Sequence, residues 1–345
     1  MTTNRAVRPK KGPGAAGKDE GKERTRSYRE QMDYRRLGKT GLWVSAVCLG
    51  GHWKRIEKVI GTSEINPYGL PGAEHADPFH RNRHEVVGRC IDAGINYIDA
   101  CTGGEVIAYA RALKGRREEV YLGYSCYEKE PRMEGWRTKD KLLQGFDEGL
   151  REAGLEYADL WRITMHEQGG QHTQAETDEM IAALAEAKER GTCRFVGVSS
   201  HDRAWIRSVI EQYGDEVDVI LTPFLPGAKP AGPDGLFDAV RRHDVGVFGI
   251  KPMATNALFV GDGSPDGPHA AADDRRARLA LRGIMGIAEI TASIPGLTSV
   301  HQVDNAVQAV REGPLSEPER AELDQVLTDM WTRLPKDHDW LRAFK

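Results

Sequence analysis

The sequence predicts a single α/β domain folded as a (β/α)8 TIM barrel, on two observations. Short apolar runs alternate with segments of helical periodicity, eight of each, over roughly 270 residues. A doubly wound nucleotide-binding sheet would normally use fewer strands and a Gly-rich first turn. An N-terminal β-hairpin and an extra C-terminal helix frame the barrel, which occupies residues 32–345.

Residues 1–31 are dominated by Lys, Arg, Glu, Gly, Thr and Ser with hardly any apolar periodicity, and are expected to form a flexible polar tail. Within it, Gly12 to Lys18 imitates a phosphate-binding loop, but no strand leads into that run and no apolar helix leaves it. Tyr34 to Gly38 and Leu42 to Ser45 flank Lys39-Thr40-Gly41 as a hairpin. The barrel strands are expected at 46–49, 95–98, 120–123, 159–163, 195–198, 217–221, 246–250 and 291–294.

Between them, Val86, Val87, Cys90 and Ile91 share one helical face, as do Leu142, Leu143, Phe146 and Leu150, and Ile181, Leu184 and Ala187. Thr173 with Glu176, and Ser299 with Gln302, have the spacing of capping boxes. Leu323, Val326, Leu327 and Met330, following Ser316 and Glu319, mark the extra helix, expected outside the barrel or across its base. Long irregular stretches at 52–82 and 255–270 follow strands and so fall at the catalytic mouth of such a barrel.

Composition narrows the partner class. With 48 Lys and Arg against 52 Asp and Glu, the formal charge is −4, which supplies no general attraction to nucleic acid or anionic lipid. A small-molecule substrate is the default. Five cysteines without CxxC spacing point to a reducing, cytoplasmic setting, and no apolar run of membrane-spanning length occurs.

Four blocks in order carry a more specific signal: Tyr34 to Ser45, Gly94-Ile95-Asn96-Tyr97-Ile98-Asp99-Ala100, Gly197-Val198-Ser199-Ser200, and Ile294-Pro295-Gly296 with Asn305 downstream. From about residue 33 to 331 the chain resembles the aldo-keto reductase superfamily. The resemblance implies a barrel that binds NADPH or NADH in an extended pose and reduces carbonyls to alcohols. It further implies a tyrosine proton donor tuned by a lysine, an aspartate holding that lysine, and a histidine orienting the substrate oxygen.

Only the aspartate is matched, by Asp99. The tyrosine position falls on Gly104, the lysine position on Ser125 or Tyr124, and the histidine position on Thr164. His166 lies two residues beyond Thr164, so strand alternation returns it to the barrel face as a substitute acid or base. His52 and Lys54, after the first strand, are candidates to grip an acidic or sugar-like substrate; Tyr127 is a weaker source of a phenol. For the cofactor, NADP or NAD, the resemblance assigns Ser199 and Ser200 to the nicotinamide amide. It assigns Gly296, Thr298, Gln302 and Asn305 to a phosphate at a helix N-terminus. Lys251 is expected to meet a cofactor phosphate or the substrate. His301 stands where an arginine often grips the 2′-phosphate, leaving NADP and NAD both open.

The expected function is therefore an NAD(P)-dependent oxidoreductase acting on a polar, sugar-like carbonyl or hydroxyl compound with a non-standard acid or base. The alternatives are a sugar isomerase, epimerase or lyase on the same barrel, or a silent nucleotide-binding barrel. A metal form of the first alternative would draw on His52, Asp99, Glu105, His166, Glu167 and His201.

Overall fold

The computed structural model describes residues 21–53, 56–60, 77–165, 169–228 and 235–344. The loop-like run at Gly12 to Lys18, Lys54, His166 and Glu167 lie outside them.

The hairpin pairs β1 (Tyr34–Arg36) with β2 (Trp43–Ser45). The barrel strands follow: β3 (Leu49–Gly50), β4 (Tyr97–Asp99), β5 (Tyr121–Tyr124), β6 (Ala158–Thr164), β7 (Cys193–Ser199), β8 (Val219–Pro223), β9 (Gly246–Ile250) and β10 (Ala292–Ile294). They pair in parallel in chain order. Bridges from Val47 to Ser293 and from Gly50 to Gly296 bring the first strand's segment back to the last and close the cylinder. Each of the eight expected strands is thus present, with ends shifted by a few residues.

The helices are α1 (Ile56–Ile60), α2 (Asp77–Asp92), α3 (Gly103–Ala112), α4 (Lys139–Ala153), α5 (Gln174–Glu189), α6 (Arg203–Tyr213), α7 (Leu236–His243), α8 (Ala270–Met285), α9 (Val300–Glu312) and α10 (Glu317–Arg333). Thr173 and Glu176 form the expected capping box of α5. Ser299 caps α9 by accepting from the Gln302 amide, but the Gln302 side chain turns to Thr298 instead of completing the box. Among the described residues no helix is long and apolar enough to cross a membrane.

The hairpin plugs the N-terminal end of the cylinder. Leu37 and Val44 pack on Tyr97, Tyr121, Leu160, Val219 and Phe248 from the strands, and Tyr97 stacks on Phe248 at 4.3 Å. The turn needs Gly38: its φ is +48°, and a Cβ there would lie 2.3 Å from the Gly246 nitrogen.

Residues 21–31 depart from the expected tail. Thr25 is buried, Arg26 donates to the Val120 carbonyl and pairs with buried Asp159, and Ser27 donates to the Glu119 carbonyl. Arg117 and Arg194 converge on the same Asp159. Composition could not show this order, because it comes from polar contacts with the strand starts and not from an apolar face.

The extra helix α10 packs against α8 on the outside. A 3-10 segment, Lys336–Phe344, then turns back to the open mouth. All five cysteines are free: Cys48, Cys90, Cys126 and Cys193 are buried, and Cys101 is partly exposed.

Candidate active site

A cavity of about 440 Å³ opens among the C-terminal ends of the strands, from Gly50, Asp99, Arg162, Thr164 and Ser199 across to Ile250, Gly296 and the start of α9. Its size is ordinary for a small-molecule site.

The floor is an ion pair. Strand alternation turns Leu160, Arg162 and Thr164 of β6 inward. Arg162 Nε and Nη2 donate to Asp99 Oδ1 and Oδ2 at 3.1 and 2.5 Å, and Tyr97 donates to Asp99 Oδ1 at 3.3 Å. Both charged side chains are buried. Burial pushes the Asp99 carboxyl above its ordinary value against the pull of Arg162. Burial opposes the charge on Arg162 too, yet Asp99 holds its pKa well above the usual value. A bidentate guanidinium thus stands beside the aspartate where the resemblance implies an amine. On β5, Gly123 makes room for this: a Cβ would lie 2.0 Å from the Tyr97 hydroxyl and 2.8 Å from Asp99 Oδ1.

Of the three replaced positions, Gly104 is buried in the first turn of α3 and the other two lie at strand ends. Ser125 faces inward and is buried, whereas Tyr124 points out to a ring contact with Phe146 of α4. Of the two candidates for the lysine position, Ser125 is the one on the barrel side. Thr164 lines the cavity, and Arg162 Nη1 donates to its hydroxyl at 2.6 Å.

His52 forms one wall. Trp53 fixes the loop by donating to Tyr109, which donates in turn to the Gly50 carbonyl. The His52 backbone has a positive φ, and its Nδ1 lies 2.7 Å from Glu105 Oε1. Glu105 is fully buried near the start of α3, which Thr102 caps, and also accepts from the Cys101 amide at 2.7 Å. Burial alone would raise the Glu105 carboxyl; His52 and the two backbone amides reverse that and hold it below its ordinary value.

The opposite wall carries Ser199, Lys251, Gly296, Thr298, Gln302 and Asn305. Ser200 is not among the lining residues: its hydroxyl accepts from the Asp202 amide and its own amide donates to the Leu221 carbonyl. Gln302 and Asn305 are committed within the chain. Gln302 accepts from Thr298 and donates to the Gly263 carbonyl, while Asn305 accepts from Arg278 and donates to the Asp274 carbonyl. His301 pairs with Asp274 at 2.7 Å. Lys251, Ala254, Thr255 and Asn256 all have positive φ, a concentration of backbone strain on the rim.

The returning segment completes the mouth. Trp340 stacks on His201 at 4.7 Å and 10°, with Lys251 Nζ 5.6 Å from its ring. Burial, then Lys251 and Arg132, bring the His201 imidazole down to about 3. Tyr127 lines the cavity with the Arg132 guanidinium 5.3 Å from its ring. Burial and Glu128 raise its phenol, the wrong direction for a proton donor. Among the described residues no three His, Cys, Asp or Glu side chains converge as metal ligands.

Sequence reasoning passed over Arg162 and Trp340, and named Glu105 only as a candidate metal ligand, not as the partner of His52. For Arg162 a signal existed, since it has the same strand parity as Thr164; Glu105 and Trp340 are placed by tertiary packing.

A polar cavity at the strand C-termini, floored by a buried ion pair, defines a barrel enzyme. The chain belongs to the aldo/keto reductase family, whose family model matches residues 73–277. It is 25% identical over 307 residues to L-galactose dehydrogenase of Arabidopsis thaliana, covering 82% of this chain and 89% of the relative. To the L-glyceraldehyde 3-phosphate reductase of Escherichia coli O157:H7 it is 22% identical over 354 residues, covering 87% and 93%. Among solved structures, the fold is shared with an aldo-keto reductase from Bacillus halodurans in its holo form, at a TM-score of 0.60 and 22% identity, covering 86% of this chain and 96% of that one. It is shared too with a Klebsiella pneumoniae aldo/keto reductase in complex with NADP and acetate, at 0.63 and 19%, covering 86% and 95%.

Proposed function

We propose that this protein is an NAD(P)-dependent oxidoreductase that interconverts a carbonyl and a hydroxyl on a small, polar, sugar-like molecule. The two relatives named above act on sugar-related compounds, and one structural neighbour holds NADP. The single observation that carries the reading is the bidentate Asp99–Arg162 pair at the cavity floor.

The nicotinamide cofactor would supply or accept the hydride. The residues that would hold it are Ser199 at a strand end for the amide, and Lys251 with Thr298 and the first amides of α9 for phosphate. The internal bonds of Gln302 and Asn305 would have to be shared or exchanged on binding.

Arg162 Nη1, which donates to Thr164 and the Cys101 thiol, would turn one of these N–H groups to the substrate oxygen and steady its negative charge as it becomes an alkoxide. Asp99 fixes the guanidinium plane through Nε and Nη2. His52, held by Glu105, presents an imidazole to the polar part of the substrate. Lys54 and His166 retain their proposed roles as a substrate grip and as a second acid or base, and carry no part of this geometry.

Titration with NADPH and NADH, followed by nicotinamide fluorescence, tests the reading. Saturable binding of one of them is expected, and no binding at millimolar cofactor overturns it.

A further inference from the structure

The residues that replace the family's lysine and histidine are joined to each other. Ser125 Oγ and Thr164 Oγ1 lie 2.8 Å apart. Ser125 donates onward to Glu130 Oε2 at 2.6 Å. Glu130 is only 2% exposed, yet it sits in a Tyr-Glu-Lys-Glu run that reads as a solvated face. It is held by the Thr164 amide at 2.7 Å, the Cys126 amide at 3.0 Å and Trp161 Nε1 at 3.4 Å.

A hydroxyl has one proton to give and two lone pairs. Because Ser125 spends its proton on Glu130, Thr164 must be the donor between the two hydroxyls. Arg162 Nη1 occupies one Thr164 lone pair, and the Cys101 thiol lies 3.8 Å away. Thr164 lines the cavity. An unbroken path therefore runs from a buried carboxyl, through two hydroxyls, to the place where a substrate oxygen would meet Arg162.

We propose that Glu130 is the proton store for the substrate oxygen, coupled to it through the Ser125 and Thr164 hydroxyls. This rests on the oxidoreductase reading above. In the direction of alcohol oxidation, the substrate O–H bond breaks and its proton passes to Thr164. The Thr164 proton moves to Ser125 and the Ser125 proton to Glu130, while the hydride on the carbinol carbon, with both electrons, would be taken up by the oxidised nicotinamide cofactor when bound. Carbonyl reduction runs the same chain backwards, and Glu130 is then refilled from solvent.

Burial raises the Glu130 carboxyl to about 7, even though Ser125, the Thr164 and Cys126 amides and Arg162 all pull it down. The charged and titratable groups acting on it are Arg162 on β6, with Tyr124 and Cys126 on its own side of the barrel. Lys129 is taken by Glu148 and Glu152 of α4. Such a carboxyl changes state around neutral pH, as a proton store must.

The test uses glyceraldehyde as probe substrate with NADPH and NADH, and compares wild type with Glu130→Gln, Thr164→Val and Thr164→Ser. Glu130→Gln and Thr164→Val are expected to lower kcat by about 10²- to 10⁴-fold with cofactor affinity unchanged. Both should lose the pH limb near neutrality and the solvent isotope effect. Thr164→Ser, which restores the hydroxyl, should recover most of the lost kcat. In the protein without cofactor, carboxyl carbon NMR should find one glutamate titrating near pH 7 that is missing in Glu130→Gln. A wild type that turns over while Glu130→Gln keeps its kcat and pH limb would overturn the relay alone, as would a Glu130 carboxyl that titrates in the ordinary range. A wild type that binds neither cofactor would overturn the oxidoreductase reading and the relay with it.

Discussion

Both carboxylate oxygens of Asp99 on β4 are taken by Arg162 on β6, with Gly123 on the strand between them. Removing one partner of a buried pair leaves the other charge without compensation. Asp99→Asn or Arg162→Met should each cost about 3–5 kcal/mol in urea unfolding. The double variant should cost much less than the two together. Equal, additive losses would show that the two residues are not coupled.

Gly123→Ala places a methyl group against the Tyr97 hydroxyl and Asp99 Oδ1. The strand cannot give way without disturbing the ion pair, so a loss of about 1–3 kcal/mol is expected. A variant as stable as wild type would mean that the floor is looser than the geometry indicates.

Glu130 makes stability depend on pH in a definite sense. Its carboxyl is raised in the fold to about 7 from the ordinary glutamate value, so its protonated form favours folding at low pH. That contribution is lost as pH rises through the folded value. Relative to wild type, Glu130→Gln should therefore gain about 3 kcal/mol between pH 4 and pH 8, read from paired urea unfolding curves. A difference that does not change with pH would contradict the raised value.

Trp340 shields His201 by stacking and carries Lys251 near its ring. Trp340→Ala should expose the imidazole and move its pKa up from about 3 towards that of a solvated histidine, visible in ring-proton NMR. The stability cost should be only about 1 kcal/mol. An unmoved His201 would show that other groups keep it buried.

The barrel was legible because its physics is periodic. Apolar runs such as Val217 to Leu221, between helices with one apolar face, have few architectures open to them. Asp99 was legible from its block, and Arg162 from strand parity, had its charge not been hidden inside an apolar run. Glu130 was not legible, and Glu105 was legible only as a carboxylate near the strand ends, not as the buried partner of His52. Glu130 lies in a polar run and is buried by β6 and the turn after β5, while Glu105 opens an apolar helix and meets the loop of His52. The anchoring of residues 21–31 escaped for the same reason, since Arg26 finds Asp159 more than a hundred positions away.

Four of the five thiols are sealed in the core and one, Cys101, borders the cavity. A thiol-specific reagent should therefore count one slow equivalent in the native protein and five in denaturant, the slowness following from burial, which raises the Cys101 thiol. Occupants of the cavity that cover Cys101 would report themselves by protecting that single sulfur, whether or not any turnover follows.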